Sequence, residues 1–247
     1  MVRAITTIVC SLLLLLSFSC SREDTGPQET IPDSGIVTFT AMTGQGETRS
    51  SQEGSFETGD AIGVFAIEPK TGVYWAVNNK YTYDGQKFKP ETEADNIIVT
   101  VGTDFDFYVY YPFKAGQTDI TGISHTAGNQ SDKPGWLSAD FMTATYTDPI
   151  RNYTVPLHFK HRMSTVEVRI DRNDGVREAT MENVRRTSRF NLLTGGITTD
   201  ESRGSCTMHK YSETGGTTVF RVTIPAQRLT TSSNYVALTG TTGIKLR

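Results

Sequence analysis

The chain has 247 residues, with 24 Lys and Arg against 27 Asp and Glu and a formal net charge of -3. That length can bury a core without chemical staples, and a near-neutral balance with no basic stripe excludes nucleic acid as a partner. Hydrophobic residues at 36% and 22 glycines mark an ordinary globular chain rich in turns, neither disordered nor fibrous.

At the amino terminus, Arg3 precedes an apolar run at residues 12–16, then Ser17, Phe18 and Ser19. A charged start, a short apolar stretch and a cleavage region make residues 1–19 a signal peptide. The run is too short to cross about 30 Å of hydrocarbon as a helix. Leu16-Ser17-Phe18-Ser19-Cys20 resembles a bacterial lipobox, whose cysteine becomes an acylated amino terminus, so Cys20 is the expected lipidation site. The competing reading is an ordinary secretory signal with an incidental cysteine. Several acyl chains, at about 0.8 kcal/mol per buried methylene, anchor a protein stably where one does not. Ser21-Arg22-Glu23-Asp24 is similar to the acidic export signal of Bacteroidales surface lipoproteins, which implies the outer face of the outer membrane. Cys10 leaves with the signal peptide, so Cys206 is the one thiol left and no disulfide can close within the mature chain. Residues 20–35, polar and interrupted by two prolines, read as a disordered tether.

Period-two alternation then dominates. Ile36, Val37, Thr38, Phe39, Thr40 and Ala41 form a first strand, with Ile36, Thr38 and Thr40 on one face and Val37, Phe39 and Ala41 on the other. Residues 42–55 are a polar, Gly- and Ser-rich loop. Residues 61–67, AIGVFAI, form a nearly continuous apolar strand and so are buried on both faces. Asp84-Gly85 predicts a tight hairpin turn, since glycine supplies positive φ without steric cost. Strands follow at residues 96–101 and 104–111, the second closed by Pro112. A long loop leads to strands at 153–161, 163–170, 189–193, 205–210 and 217–224, then a terminal hairpin of 235–238 with 244–246. Residues 175–184, GVREATMENV, are the best helical candidate. Many short strands about ten residues apart predict an all-β sandwich.

No cluster makes a convincing active site, and no enzyme activity or cofactor is expected. His158 and His161 fall on opposite faces of a strand and lack further ligands, so no metal is expected there. DRNDG at residues 171–175 resembles a calcium loop, but Val176 stands where an EF-hand requires glycine, and a β-turn is preferred. Cys206 lacks a partner that would activate it, and no serine sits in G-x-S-x-G. Asp104 and Asp106 share a strand face and read as edge charges rather than a glycosidase pair. Tyr74, Trp75, Tyr81, Tyr83 and Trp136 either form a sugar-binding platform or pack a core.

VTFTA followed by TR, then FETGDAIGVFA, YTYDGQKF, DFDFYVYYP, ADFMTATYTDP, VPLHFKHRMSTVEVRI and VTIPAQ, occur in an order similar to that of the fimbrillin-like (Mfa-like) family of Bacteroidales. The resemblance covers most of the mature chain. It implies an outer-membrane lipoprotein of two transthyretin-like, Greek-key β-sandwich domains, here residues 36–150 and 151–247, acting as a fimbrial shaft subunit, anchor or tip. It also implies cleavage by an arginine-specific protease after the first strand, at Arg49 in this chain. Loss of that strand would open a groove that a segment of the next subunit fills. Partners would then be other fimbrial subunits, the outer membrane through the lipid, and a candidate host glycan or protein. A second reading keeps Arg49 uncut and the protein a monomeric binding module. Family members continue beyond the equivalent of residue 247 with another strand; if the donor strand lies there, this chain accepts a neighbour yet donates poorly, which fits a base anchor, a tip or a truncated gene product.

Overall fold

The computed structural model describes residues 34–41, 56–171, 175–229 and 235–240. The signal peptide, Cys20, Arg49, the centre of the 171–175 turn and the second strand of the terminal hairpin lie outside the described residues. No helix among these residues is long and apolar enough to cross a membrane.

The opening segment makes two short strands, β1 (Ser34–Ile36) and β2 (Thr38–Ala41). Then come β3 (Ala61–Ile67), β4 (Tyr74–Tyr83), β5 (Phe88–Pro90), a 3-10 turn at Glu93–Asp95, β6 (Ile98–Thr100) and β7 (Asp106–Tyr111). Gly85 takes φ of 101° in the turn before β5, as its Asp-Gly sequence demands. The stretch expected to be one long loop holds β8 (Ile123–Thr126), the single helix among the described residues, α1 (Lys133–Ser138), and β9 (Met142–Tyr146). Asp132 starts the helix, its side chain accepting from the Gly135 N–H at 2.8 Å, with proline in the first turn.

Next are β10 (Thr154–Leu157), β11 (Lys160–His161), β12 (Ser164–Asp171) and β13 (Val176–Arg185). The chain closes with β14 (Thr187–Phe190), β15 (Ile197–Thr199), β16 (Arg203–Thr207), β17 (His209–Thr214), β18 (Thr217–Ile224) and β19 (Val236–Gly240). The helix expected at residues 175–184 is strand β13. Its buried positions, Val176, Ala179, Met181 and Val184, are spaced three, two and three apart. Register shifts against β19 between Val176 and Glu178, and against β16 between Met181 and Val184, produce that spacing. Each bulge inserts a residue and imitates a helical period.

The largest sheet runs β10-β2-β5-β4-β3-β7-β9-β11, with every pairing antiparallel except β10 with β2. β3 lies inside it and is covered on both faces, which explains its unbroken apolar sequence. Ile62, Val64 and Ala66 enter a first core with Phe107, Val109 and Phe39. Phe65 faces the other way, into a cluster with Tyr110, Phe141, Phe190 and Ile123, where Phe141 and Phe190 stack at 4.0 Å. Gly63 lies beneath the Tyr110 ring, and a Cβ there would meet the ring at 2.2 Å.

The small sheet β15-β14-β8 contributes to this second cluster. The sheets β12-β18-β17 and β16-β13-β19 bury a further core between them, with Phe220, Val222, Met181, Val184 and Cys206 at its centre. β10 and β11, although they follow residue 150, pair with β2 and β9 in the largest sheet. The fold is all-β, of sandwich type.

Candidate functional site

Segment 34–41 is held in two ways along its length. β1 pairs antiparallel with β6, Ile36 opposite Ile98, and β2 pairs in parallel with β10, from Thr38 opposite Thr154 to Ala41 opposite Leu157. The change of partner falls at Val37, whose N–H donates to the Ile97 carbonyl at 2.9 Å; the next N–H, of Thr38, donates to the Tyr153 carbonyl at 2.7 Å. The Thr38 and Thr154 hydroxyls meet at 3.2 Å. On its other side β2 has one register pair with β5, Phe39 opposite Phe88. This strand therefore sits within the sheet, between a parallel and an antiparallel neighbour.

The side chains alternate as period two requires. Val37 and Phe39 are fully buried, Ala41 packs partly buried against the same core, and Thr38 and Thr40 are half-buried. Ile36 is 43% exposed beside Ile98 at 53%. Phe39 meets Tyr81 and Phe107 edge-on at 5.1 and 5.3 Å, geometries that aromatic quadrupoles favour. The Tyr81 hydroxyl accepts the Ile97 N–H at 3.3 Å, and burial drives its pKa far above the ordinary tyrosine value. Gly35 passes so close to Tyr153 that a Cβ would lie 2.8 Å from the ring. Sequence reasoning missed Tyr153 as a contact, because it lies 115 residues from its partner Thr38 and nothing local marks it.

The other candidate residues disperse. Tyr81 and Trp136 are buried, at 0% and 2% exposure, while Tyr74 and Trp75 stand exposed, so the five aromatics form no common platform. His161 Nδ1 meets Asp140 Oδ2 at 2.7 Å, whereas His158 is exposed. Among the described residues no group of His, Cys, Asp and Glu is placed to hold a metal ion. Asp104 precedes β7 and pairs with Lys70 at 3.3 Å; the Asp106 carboxyl is raised by burial. Cys206 is buried and its thiol is pushed up by desolvation, the opposite of what a nucleophile needs.

These features define an all-β sandwich protein whose opening segment is inserted into the largest sheet. The family model for fimbrillin-like proteins matches residues 48–245. The chain belongs to the fimbrillin-like family and is thus a fimbrial or adhesion-related protein. No curated protein matches the sequence. Among solved structures, the chain is similar to a candidate cell adhesion protein of Bacteroides ovatus, at 17% identity and a TM-score of 0.58 over 78% of each chain. A candidate cell adhesion protein of Bacteroides uniformis gives 20% identity and a TM-score of 0.57, over 83% of this chain and 78% of the other. At such identities the likeness bears on fold.

Proposed function

We propose that the protein is a lipid-anchored fimbrial subunit, serving as shaft, anchor or tip, that joins its neighbours by exchange of residues 34–41. One observation carries this reading. The segment fills, through β2, a slot between β10 and β5, and Val37 and Phe39 lie wholly inside the first core. Removing it would bare two strand edges above an apolar trough, and an extended segment from another copy supplies both the missing hydrogen bonds and the alternate side chains. Arg49 follows β2 by eight residues, in a Gly- and Ser-rich stretch of the kind proteases cut. Cys20 carries the lipid, with the tether spacing it from the fold at the outer membrane. The chain is organised as two transthyretin-like lobes, the division lying after β11 rather than near residue 150, because β10 and β11 pair within the largest sheet. The two Bacteroides adhesion proteins of similar fold agree with a role in cell adhesion.

Treatment of the purified protein with an arginine-specific protease tests this. Cleavage after Arg49 followed by ladders resistant to sodium dodecyl sulfate is the expected result, abolished by Arg49→Ala. A protein that stays monomeric after complete cleavage at Arg49 sinks strand exchange. Cys20→Ala should move the protein from the membrane fraction to the soluble fraction, and unchanged partitioning rules out the anchor.

A further inference from the structure

The largest sheet has a second face that the Phe65–Phe190 cluster covers in part, and the part left open is lined by chemistry of one kind. On β9, Met142 and Ala144 enter the first core, so Thr143 and Thr145 present the opposite face. Register then fixes their neighbours: Tyr108 of β7 lies opposite Thr145, and Lys160 of β11 opposite Thr143. His158 and Arg162 stand two residues either side of Lys160, which puts all three side chains on that face. The turn after β14, with Asn191, Leu193 and Gly195, rises beside them and closes a cleft of about 510 Å³.

Three basic side chains line this cleft and no carboxylate does. Lys160 and His158 are exposed. Arg162 is built in: its guanidinium donates to the Gly195 carbonyl and its backbone N–H to the Phe141 carbonyl at 2.8 Å. Its Nε–H is buried without a hydrogen-bond partner. The guanidinium thus fixes a permanent positive charge in the cleft wall, for which an anionic oxygen is a stronger partner than a neutral one. Around the charges stand the hydroxyls of Thr143 and Thr145, with Leu193, 41% exposed, as an apolar wall, while the Tyr108 hydroxyl is engaged by the Asp106 carboxylate. The cleft volume falls within the range of about 300–1,000 Å³ usual for small-ligand clefts.

We infer that this cleft binds an acidic sugar, its carboxylate or sulfate seated between Lys160 and Arg162 and its ring hydroxyls on the threonine row. A divalent cation is repelled by the same charges. An extended peptide would engage a free strand edge, whereas this cleft opens on the face of the sheet and offers side-chain hydroxyls instead. The inference stands apart from strand exchange, since none of these residues belongs to segment 34–41.

Titration of the purified full-length protein with 3′-sialyllactose, a sulfated lactose and neutral lactose, read by calorimetry or ligand NMR, provides the test. One acidic sugar should saturate with Kd of about 1 mM or tighter, weaken with added salt, and leave lactose unbound. Lys160→Glu should weaken it at least about tenfold, and Thr145→Val should weaken it without altering its salt dependence. Lys160 is exposed, so an unchanged unfolding temperature shows that the fold survives the substitution. The inference is overturned if neither acidic sugar binds at about 10 mM, if lactose binds equally, or if Lys160→Glu has no effect. Tighter binding of a polyglutamate peptide than of either sugar also overturns it, assigning the cleft to an acidic protein. Ladder formation after protease treatment should be unchanged in Lys160→Glu, which separates failure here from failure of strand exchange.

Discussion

Phe39 shows how one side chain ties the opening segment to the fold. It is fully buried and sits edge-on to two further aromatic rings. Truncation leaves a void that a rigid, cross-strand setting cannot close, so Phe39→Ala should cost about 3–5 kcal/mol in denaturant titration. A loss below about 1 kcal/mol would contradict the packing described. His125 acts through charge rather than volume. It is 9% exposed, packs 5.1 Å from Phe141, and donates Nε2–H to the Ala139 carbonyl at 3.0 Å. Burial holds its pKa below the ordinary histidine value, with that carbonyl and Asp140 acting against it and Lys114 adding to it. The unfolded chain therefore takes up the proton first as pH falls. Stability is full above the unfolded value near 6.5 and declines as pH drops from there through the folded value. Thermal melts between roughly pH 7 and 5 should show the decline in the native protein. His125→Gln, which keeps a donor for Ala139, should flatten it.

At the scale of elements, Gln130 stands in for a strand. β17 pairs with β18 from His209 opposite Arg221 to Thr214 opposite Thr217, so Thr223 lies beyond its last partner. The Gln130 amide supplies what is missing, accepting the Thr223 N–H at 2.8 Å and donating to its carbonyl at 2.7 Å, both groups buried. Gln130→Ala leaves two backbone groups unpaired at about 1–3 kcal/mol each, and the Thr223 amide should lose its hydrogen-exchange protection. Gln130→Glu sets a buried carboxylate oxygen against the Thr223 carbonyl and should be at least as destabilising. Unchanged exchange in Gln130→Ala would remove this role. The elements also show what the sequence could disclose. β3 and β18 occur where alternation and apolar runs placed them, because a strand's pattern is written in its own residues. β13 carries a helix-like period because two bulges stretch its apolar spacing to three. The Asp132–Pro134 start of α1 carries a cap signature, but it lies within a polar stretch with no apolar period to support a helix.

Across the whole molecule, legibility ends where pairing becomes remote. Val37, Phe39 and Ala41 form one face on alternation alone, yet nothing local names β10 as the partner. The cleft residues are similar: Lys160, His158 and Arg162 alternate visibly, but only register against β9 places the threonines beside them. Deleting residues 34–41 forfeits burial of Val37 and Phe39, about 1.5–3 kcal/mol apiece, and should lower the unfolding temperature by on the order of 10 °C. Adding a synthetic peptide of residues 34–41 should restore it, whereas a scrambled peptide should not. Thr38 and Thr154 are 116 positions apart. A ribosome makes the amino-terminal ribbon long before its parallel mate exists, and closing so large a loop is entropically slow. Segment 34–41 meets β5 and β6 from nearby in sequence, and its parallel seam with β10 is the last of its pairings to close.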